Sequence, residues 1–429
     1  MDFAHGAIQL TTGAIGTTFV VSGLSFQPKA IRFYWTGIDS ATDAVTDAVN
    51  MRRGVGFASS TSSRRAIASF SQDTAGTSNC GGGAANDCCV ATTDGAGAFD
   101  GKVDIDSFAS DGFTLIVDDV LPAAMTLFWE AWGGADITNV TIGDIAEPAA
   151  TGTQNYTATG FTSTDNNSQV VMLAGCQSTA AVNTAAATDS GFFTGFTSGS
   201  GEQCVVSGNS DDASTAMDTD GVASGGRCLT MCALAGGTEG SRAAFSAWGT
   251  DLFTLNWTTV LTTNRRSIYM AIKGGAWQAG DLVIEGQTLN ATSAISSLSM
   301  SQLRGICFLG NMAAANSSFG AHDRISLGTA SGTGSRRAMG QMDENATASS
   351  ACEIGTAIEY DQILVYTGTS DTVITRHDVS VFGTNNFTVI VDTAGGVTNE
   401  CIGFLTFVDA VAGISIPIAA YHYNHHLKG

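Results

Sequence analysis

One segment of this chain returns twice, and its spacing sets the scale of everything else. Asp111–Gly134 reads DGFTLIVDDVLPAAMTLFWEAWGG, Asp251–Gly275 repeats the pattern, and Asn385–Ala410 gives a third copy. Phe113, Phe253 and Phe387 mark the same position, 140 and 134 residues apart. That period is too long for a solenoid repeat and falls at domain size. Each copy has an aromatic residue, a Thr, alternating apolar positions, a polar break and a second apolar run. The pattern predicts two antiparallel strands joined as a hairpin. A second landmark keeps the same register: apolar strands ending at Gly37, Gly175 and Gly310, 138 and 135 residues apart.

The expected fold is therefore all-β, with three tandem antiparallel β-sandwich domains of jelly-roll or lectin-like kind: residues 1–136, residues 137–277, and residues 278–429 with a C-terminal tail. Fifty-two Gly, 4 Pro and only 18 Lys plus Arg suit short strands and small-residue turns better than helices with charged faces. Seven or eight strands per unit are expected, with hairpins in Gly54–Phe70, Gly191–Gly208 and Ile325–Gln341. Asp39–Arg52 has room for one short helical turn. Ser71–Cys89, Asn209–Arg227 and Asp343–Glu353 read as long exposed loops over one end of each sandwich. The linkers Ala135–Gly152 and Ala276–Asn290 alternate in hydropathy, so each is expected to begin the next sandwich as a strand. The tail from Gly413 has the same character and is expected to pack on a neighbouring subunit or an earlier domain.

A formal charge of −21 argues against nucleic acid, whose phosphates need clustered Lys and Arg. No apolar run reaches the roughly 18 residues that span a bilayer, and the amino end lacks an export-signal pattern, so a soluble chain is expected. The ten cysteines do not repeat with the units, which favours reduced structural thiols over a disulfide framework. His422, His425 and His426 form the only histidine cluster and read as tail residues. Acidic stretches at Ser210–Gly221 and Asp104–Gly112 lack calcium-hand spacing and read as solvated loop charge. Neither a metal nor a cofactor is expected. Trp35, Trp129 and Trp132 read as core or rim aromatics. No nucleophile elbow, phosphate loop or metalloprotease motif is present in the sequence, so no catalytic residue is assigned.

The most specific polar feature is a pair of arginines at a hairpin tip, Arg64 and Arg65, which recurs as Arg336 and Arg337 but is replaced by Gln203 and Cys204 in the second unit. These four arginines are the candidate ligand-binding residues, for an acidic glycan or carboxylate that planar guanidinium groups suit. The competing reading pairs them with the acidic surface of an adjacent domain or subunit.

Gly23–Ala30 followed by an aromatic strand, then GFASSTSSRRAI, SFASDGFTLIVDD and a closing strand ending Gly-Gly, resembles a repeat of tailed-bacteriophage virion proteins. The strand GFTL and the one after it are also similar to the last two strands of the H-type lectin sandwich. The resemblance covers nearly all of the first unit, with the second and third more divergent. It implies a non-enzymatic structural protein on the virion surface, assembled in the host cytoplasm. It further implies a homotrimer with other virion proteins and a host-surface glycan as partners. Tail-fibre or receptor-binding function leads, with head decoration as the alternative; a glycan-degrading tailspike, a cellular lectin and a tail-tube subunit are the competing classes.

Overall fold

The computed structural model describes residues 1–408 except 48–49, 73–78, 166, 188, 210–218, 234–237, 262–264, 285–287, 300–301, 315–319, 345–352, 369–371 and 396–399; residues 409–429 also lie outside the description. Among the described residues every regular element is a strand, and all pairings are antiparallel. The first repeat contributes β1 (Asp2–Leu10), β2 (Thr18–Val21), β3 (Pro28–Trp35), β4 (Ala44–Asp47), β5 (Asn50–Ala58), β6 (Arg64–Gln72), β7 (Cys80–Ala85), β8 (Val90–Thr93), β9 (Phe99–Ala109), β10 (Gly112–Asp119) and β11 (Met125–Gly133). β1, β11, β3, β5, β6 and β7 lie side by side in a large sheet, and β2, β10, β9 and β8 form a four-stranded sheet against it. Phe33, Trp35 and Trp129 from the large sheet meet Val103, Phe113 and Leu115 from the small one in a buried core.

The second repeat runs through β12 (Asn139–Ala146), β13 (Gly152–Thr157), β14 (Gln169–Cys176), β15 (Thr184–Ala187), β16 (Ser190–Thr197), β17 (Glu202–Asn209), β18 (Thr219–Gly225), β19 (Leu229–Ala233), β20 (Thr238–Gly249), β21 (Leu252–Thr259) and β22 (Arg266–Lys273). The third runs through β23 (Ala276–Ile284), β24 (Thr292–Ile295), β25 (Leu303–Ala314), β26 (Gly320–Ala321), β27 (Asp323–Gly332), β28 (Ser335–Asp343), β29 (Ile354–Glu359), β30 (Leu364–Thr367), β31 (Val373–Phe382), β32 (Phe387–Thr393) and β33 (Glu400–Val408). Both give the same sheet pair in the same order. The linkers are strands, as their alternation suggested. The expected boundary after residue 277 falls inside β23, whose Ala276 and Trp277 already pair with Val408 and Phe407.

Several expectations are corrected. The repeated motif is not a hairpin: β10 pairs with β9 and β2 in the small sheet, while β11 pairs with β1 and β3 in the large one. Its polar break carries the chain across the sandwich instead of turning it back. Asp39–Arg52 holds β4 and the start of β5 where a helical turn was expected. Ser71–Cys89 is not wholly an exposed loop, because β7 within it is buried along its length. β18 lies within Asn209–Arg227, whereas β29 begins just after Asp343–Glu353. Strands outnumber the seven or eight per repeat that the turn signals suggested.

Each large sheet is completed by a strand from another repeat. β15 of the second repeat pairs with β7 of the first, with Thr184 opposite Ala84. β26 of the third pairs with β18 of the second, with Gly320 opposite Gly221. β4 of the first pairs with β29 of the third, with Val45 opposite Ala357. The exchange is cyclic, so the chain closes into a ring. The outer faces of the three large sheets share one further core, containing Tyr34, Ile67 and Trp132 of the first repeat, Met172, Val205 and Ile272 of the second, and Leu309, Met339 and Phe407 of the third. β3 shows how this works: Ile31, Phe33 and Trp35 enter the sandwich core while Ala30 and Tyr34 enter the shared one. A strand buried on both faces reads as a continuous apolar run.

Candidate functional site

The three hairpins β5–β6, β16–β17 and β27–β28 stand at equivalent places, and their register makes Arg64, Glu202 and Arg336 equivalent, so the second repeat's counterparts of the arginine pair are Glu202 and Gln203, one residue before the expected Gln203 and Cys204. Arg64 Nε donates to both carboxylate oxygens of Asp104 on β9, at 3.0 and 2.9 Å. Arg336 Nε lies 3.0 Å from Asp378 on β31, the same position in the third repeat. Burial raises the Asp104 and Asp378 carboxyls above their ordinary value, and each arginine opposes that shift. Arg64 and Arg336 therefore tie the large sheet to the small sheet within one repeat. Glu202 accepts from the Phe245 amide at 2.7 Å and makes the same tie with the opposite charge.

Arg65 and Arg337 face the other way. Arg65 Nε donates to Asp144 on β12 of the second repeat at 2.8 Å. Gln203 donates to the Cys401 sulfur of the third repeat at 3.3 Å. Arg337 lies over the Tyr360 ring at 5.0 Å and faces His5 of the first repeat. The geometry thus brings each of the four arginines to a carboxylate or an aromatic ring of the protein itself, all four partly exposed. Arg65 alone meets a carboxylate of an adjacent repeat; Arg64 and Arg336 pair with carboxylates of their own repeats, and Arg337 lies over a ring of its own repeat.

Grooves open where a hairpin tip meets the first strand of the next repeat. Between the first and second repeats lies one of about 490 Å³, lined by Gln27, Lys29, Ser60, Thr61, Phe108 and Asn139. The Lys29 ammonium donates to the Ile137 carbonyl at 2.7 Å, and the lining adds hydroxyls and amides to an apolar wall of Pro28, Phe108, Ile137 and Val140. A smaller groove of about 260 Å³ lies at the matching joint between the second and third repeats, beside Asn167, Ser200 and Gln278. No sequence pattern marks these grooves, because their walls come from different repeats.

The C-terminal ends of β6, β17 and β28 converge. Ser71, Asn209 and Asp343, which are equivalent in register, meet there: the Ser71 hydroxyl donates to Asp343 Oδ2 at 2.6 Å, and the Asn209 amide donates to the same oxygen. Beside them Arg53 and Asp323 form an ion pair between the first and third repeats, both fully buried. Burial raises the Asp323 carboxyl, opposed by Arg53. A second buried pair, Arg32–Glu130 at 2.9 Å, accepts the Thr329 hydroxyl from the third repeat. Residues 73–78, 210–218 and 345–352 follow these three strand ends in the chain.

The remaining candidates resolve simply. Nine cysteines among the described residues are buried, and burial raises the thiols of Cys88 and Cys89 well above their ordinary value. Trp35, Trp129 and Trp132 are core residues. Asp43, Glu359 and Asp361 bring ligand atoms within 4.8 Å of one another, but Glu359 is held by Arg376 at 2.7 Å and Asp43 accepts the Tyr360 amide at 2.7 Å. His422, His425 and His426, and most of the acidic stretch Ser210–Gly221, lie outside the described residues. No family model matches the chain, and no curated protein matches it in sequence.

Proposed function

We propose that this chain is a non-enzymatic structural protein on the surface of a tailed-phage particle, acting in attachment as a tail-fibre or receptor-binding component. The observation that carries the reading is the convergence of β6, β17 and β28, because the chain enters its three most compositionally variable stretches from one place. A rigid scaffold that gathers variable segments suits recognition. The groove beside Asn139 and Phe108 offers hydroxyl and amide partners and a ring face to a neutral polyol, the chemistry of a host-surface glycan. The charge of −21 favours solubility and self-repulsion on a crowded particle surface. Other virion proteins would anchor it, and a trimer of chains belongs to the same proposal.

Head decoration is the second reading. It is favoured by the cyclic arrangement of the three repeats, which suits a threefold-symmetric site on a shell. Immunogold labelling of intact particles with antibodies to the folded protein separates the two. Label at the tail tip or fibres is the expected result, label spread over the head supports decoration, and unlabelled particles overturn both.

A further inference from the structure

Three joints hold the ring together, and the covalent chain spans only two of them. The third joint, between the third and first repeats, closes through β4 on β29 and through side chains. Across it lie Arg53–Asp323, Ser71–Asp343, Tyr34–Thr329 at 3.3 Å, and the Tyr360 hydroxyl on the Ser40 carbonyl at 2.7 Å. At its edge the His5 Nε2 sits 3.1 Å from the hydroxyls of both Ser331 and Ser335, at the tip of β27–β28.

We propose that this joint is acid-sensitive: protonating His5 places a second cation beside Arg337 and opens the contact between the first and third repeats, loosening β4 on β29. Around the ring, burial and Arg337 act toward that outcome, and the Ser335 backbone contact opposes it. From β1 itself comes Phe3, stacked at 5.8 Å. From β11 comes Glu130, the register partner of His5, already engaged by Arg32 and Thr329. From β27 and β28 come Ser331, Ser335 and Arg337. The other ring nitrogen, Nδ1, is buried without a partner. Burial first, and Arg337 second, lower the imidazole to about 4. The folded state therefore binds this proton more weakly than the unfolded state does. Stability from a neutral His5 is complete above pH 6.5 and is lost as pH falls toward 4. The other two joints hold no histidine at the matching positions, Ile142 and Ala279.

Hydrogen exchange of the full chain at pH 7.5 and 4.5, expressed as protection factors, tests the joint. At pH 4.5 protection in β4 and β29 should fall on the order of tenfold or more, while the pairs β15–β7 and β26–β18 change less. In His5→Gln, whose amide keeps the serine contacts without a titrating group, the selective loss should vanish. An acid response that survives in His5→Gln, or that spreads equally over all three joints, overturns the proposal. A direct NMR titration of the intact protein gives an independent reading: a His5 pKa below 5 is expected, and one near 6.5 contradicts it.

Discussion

Arg53 and Asp323 show how single residues decide which surfaces of this chain stay together. Both are fully buried and belong to different repeats, so neither charge has water to turn to. Arg53→Met should cost about 3–5 kcal/mol, because Asp323 is then left as an uncompensated buried charge. Adding Asp323→Leu should recover most of that loss, and denaturant unfolding of the two variants checks the difference. Arg65 and Asp144 form the contrasting case, a partly exposed pair. Removing either should cost no more than about 1 kcal/mol. The sequence pointed to Arg64, Arg65, Arg336 and Arg337 because arginines are rare here and these repeat. It could not point to Ser71, Asn209 and Asp343, since polar residues at strand ends are ordinary and only the ring brings them together. Nor did it distinguish Arg53 from Arg52, whose neighbour in the chain is buried while Arg52 reaches Asp100 at 3.1 Å near the surface.

Among the elements, β5, β16 and β27 depend on one small residue each. Gly56, Gly195 and Gly328 share a register position. A Cβ there would lie 1.7 Å from the Cys89 carbonyl oxygen, 2.2 Å from that of Cys228 and 1.7 Å from that of Ile363. Those carbonyls open or precede the outer strand of each small sheet, so the glycines let it cross close above the large sheet. Gly56→Ala should destabilise by about 1–3 kcal/mol through overpacking against backbone, measurable as a lowered melting temperature. Much of the element pattern was legible. The runs IRFYW and VVMLA are apolar without alternation because β3 and β14 are buried on both faces, and FTLIV alternates because β10 is buried on one. What period-two patterning does not specify is the partner. The motif that contains β10 and β11 therefore looks like a hairpin, although its strands lie in opposite layers. The linking strands β12 and β23 were legible for the opposite reason, since their alternation needed only a half-buried position to be right.

At the scale of the whole molecule, the 140- and 134-residue spacings reported three similar sheet pairs, but not that each would lend a strand to another. The exchanged strands β4, β15 and β26 are short segments such as AVTD, TAAA and GA, with no apolar pattern to announce them. Three similar sheet pairs are arranged in a ring inside one chain. Ring closure holds the three strand ends at one place. Thr46 and Thr356 face each other across the closing pair β4–β29, close enough in an antiparallel ladder for a disulfide. Thr46→Cys with Thr356→Cys, oxidised in dilute solution and run without reductant, measures the closure directly. A cross-link within single chains of 43.9 kDa is the predicted result, and cross-linked dimers or longer species would show that β4 inserts into another copy instead.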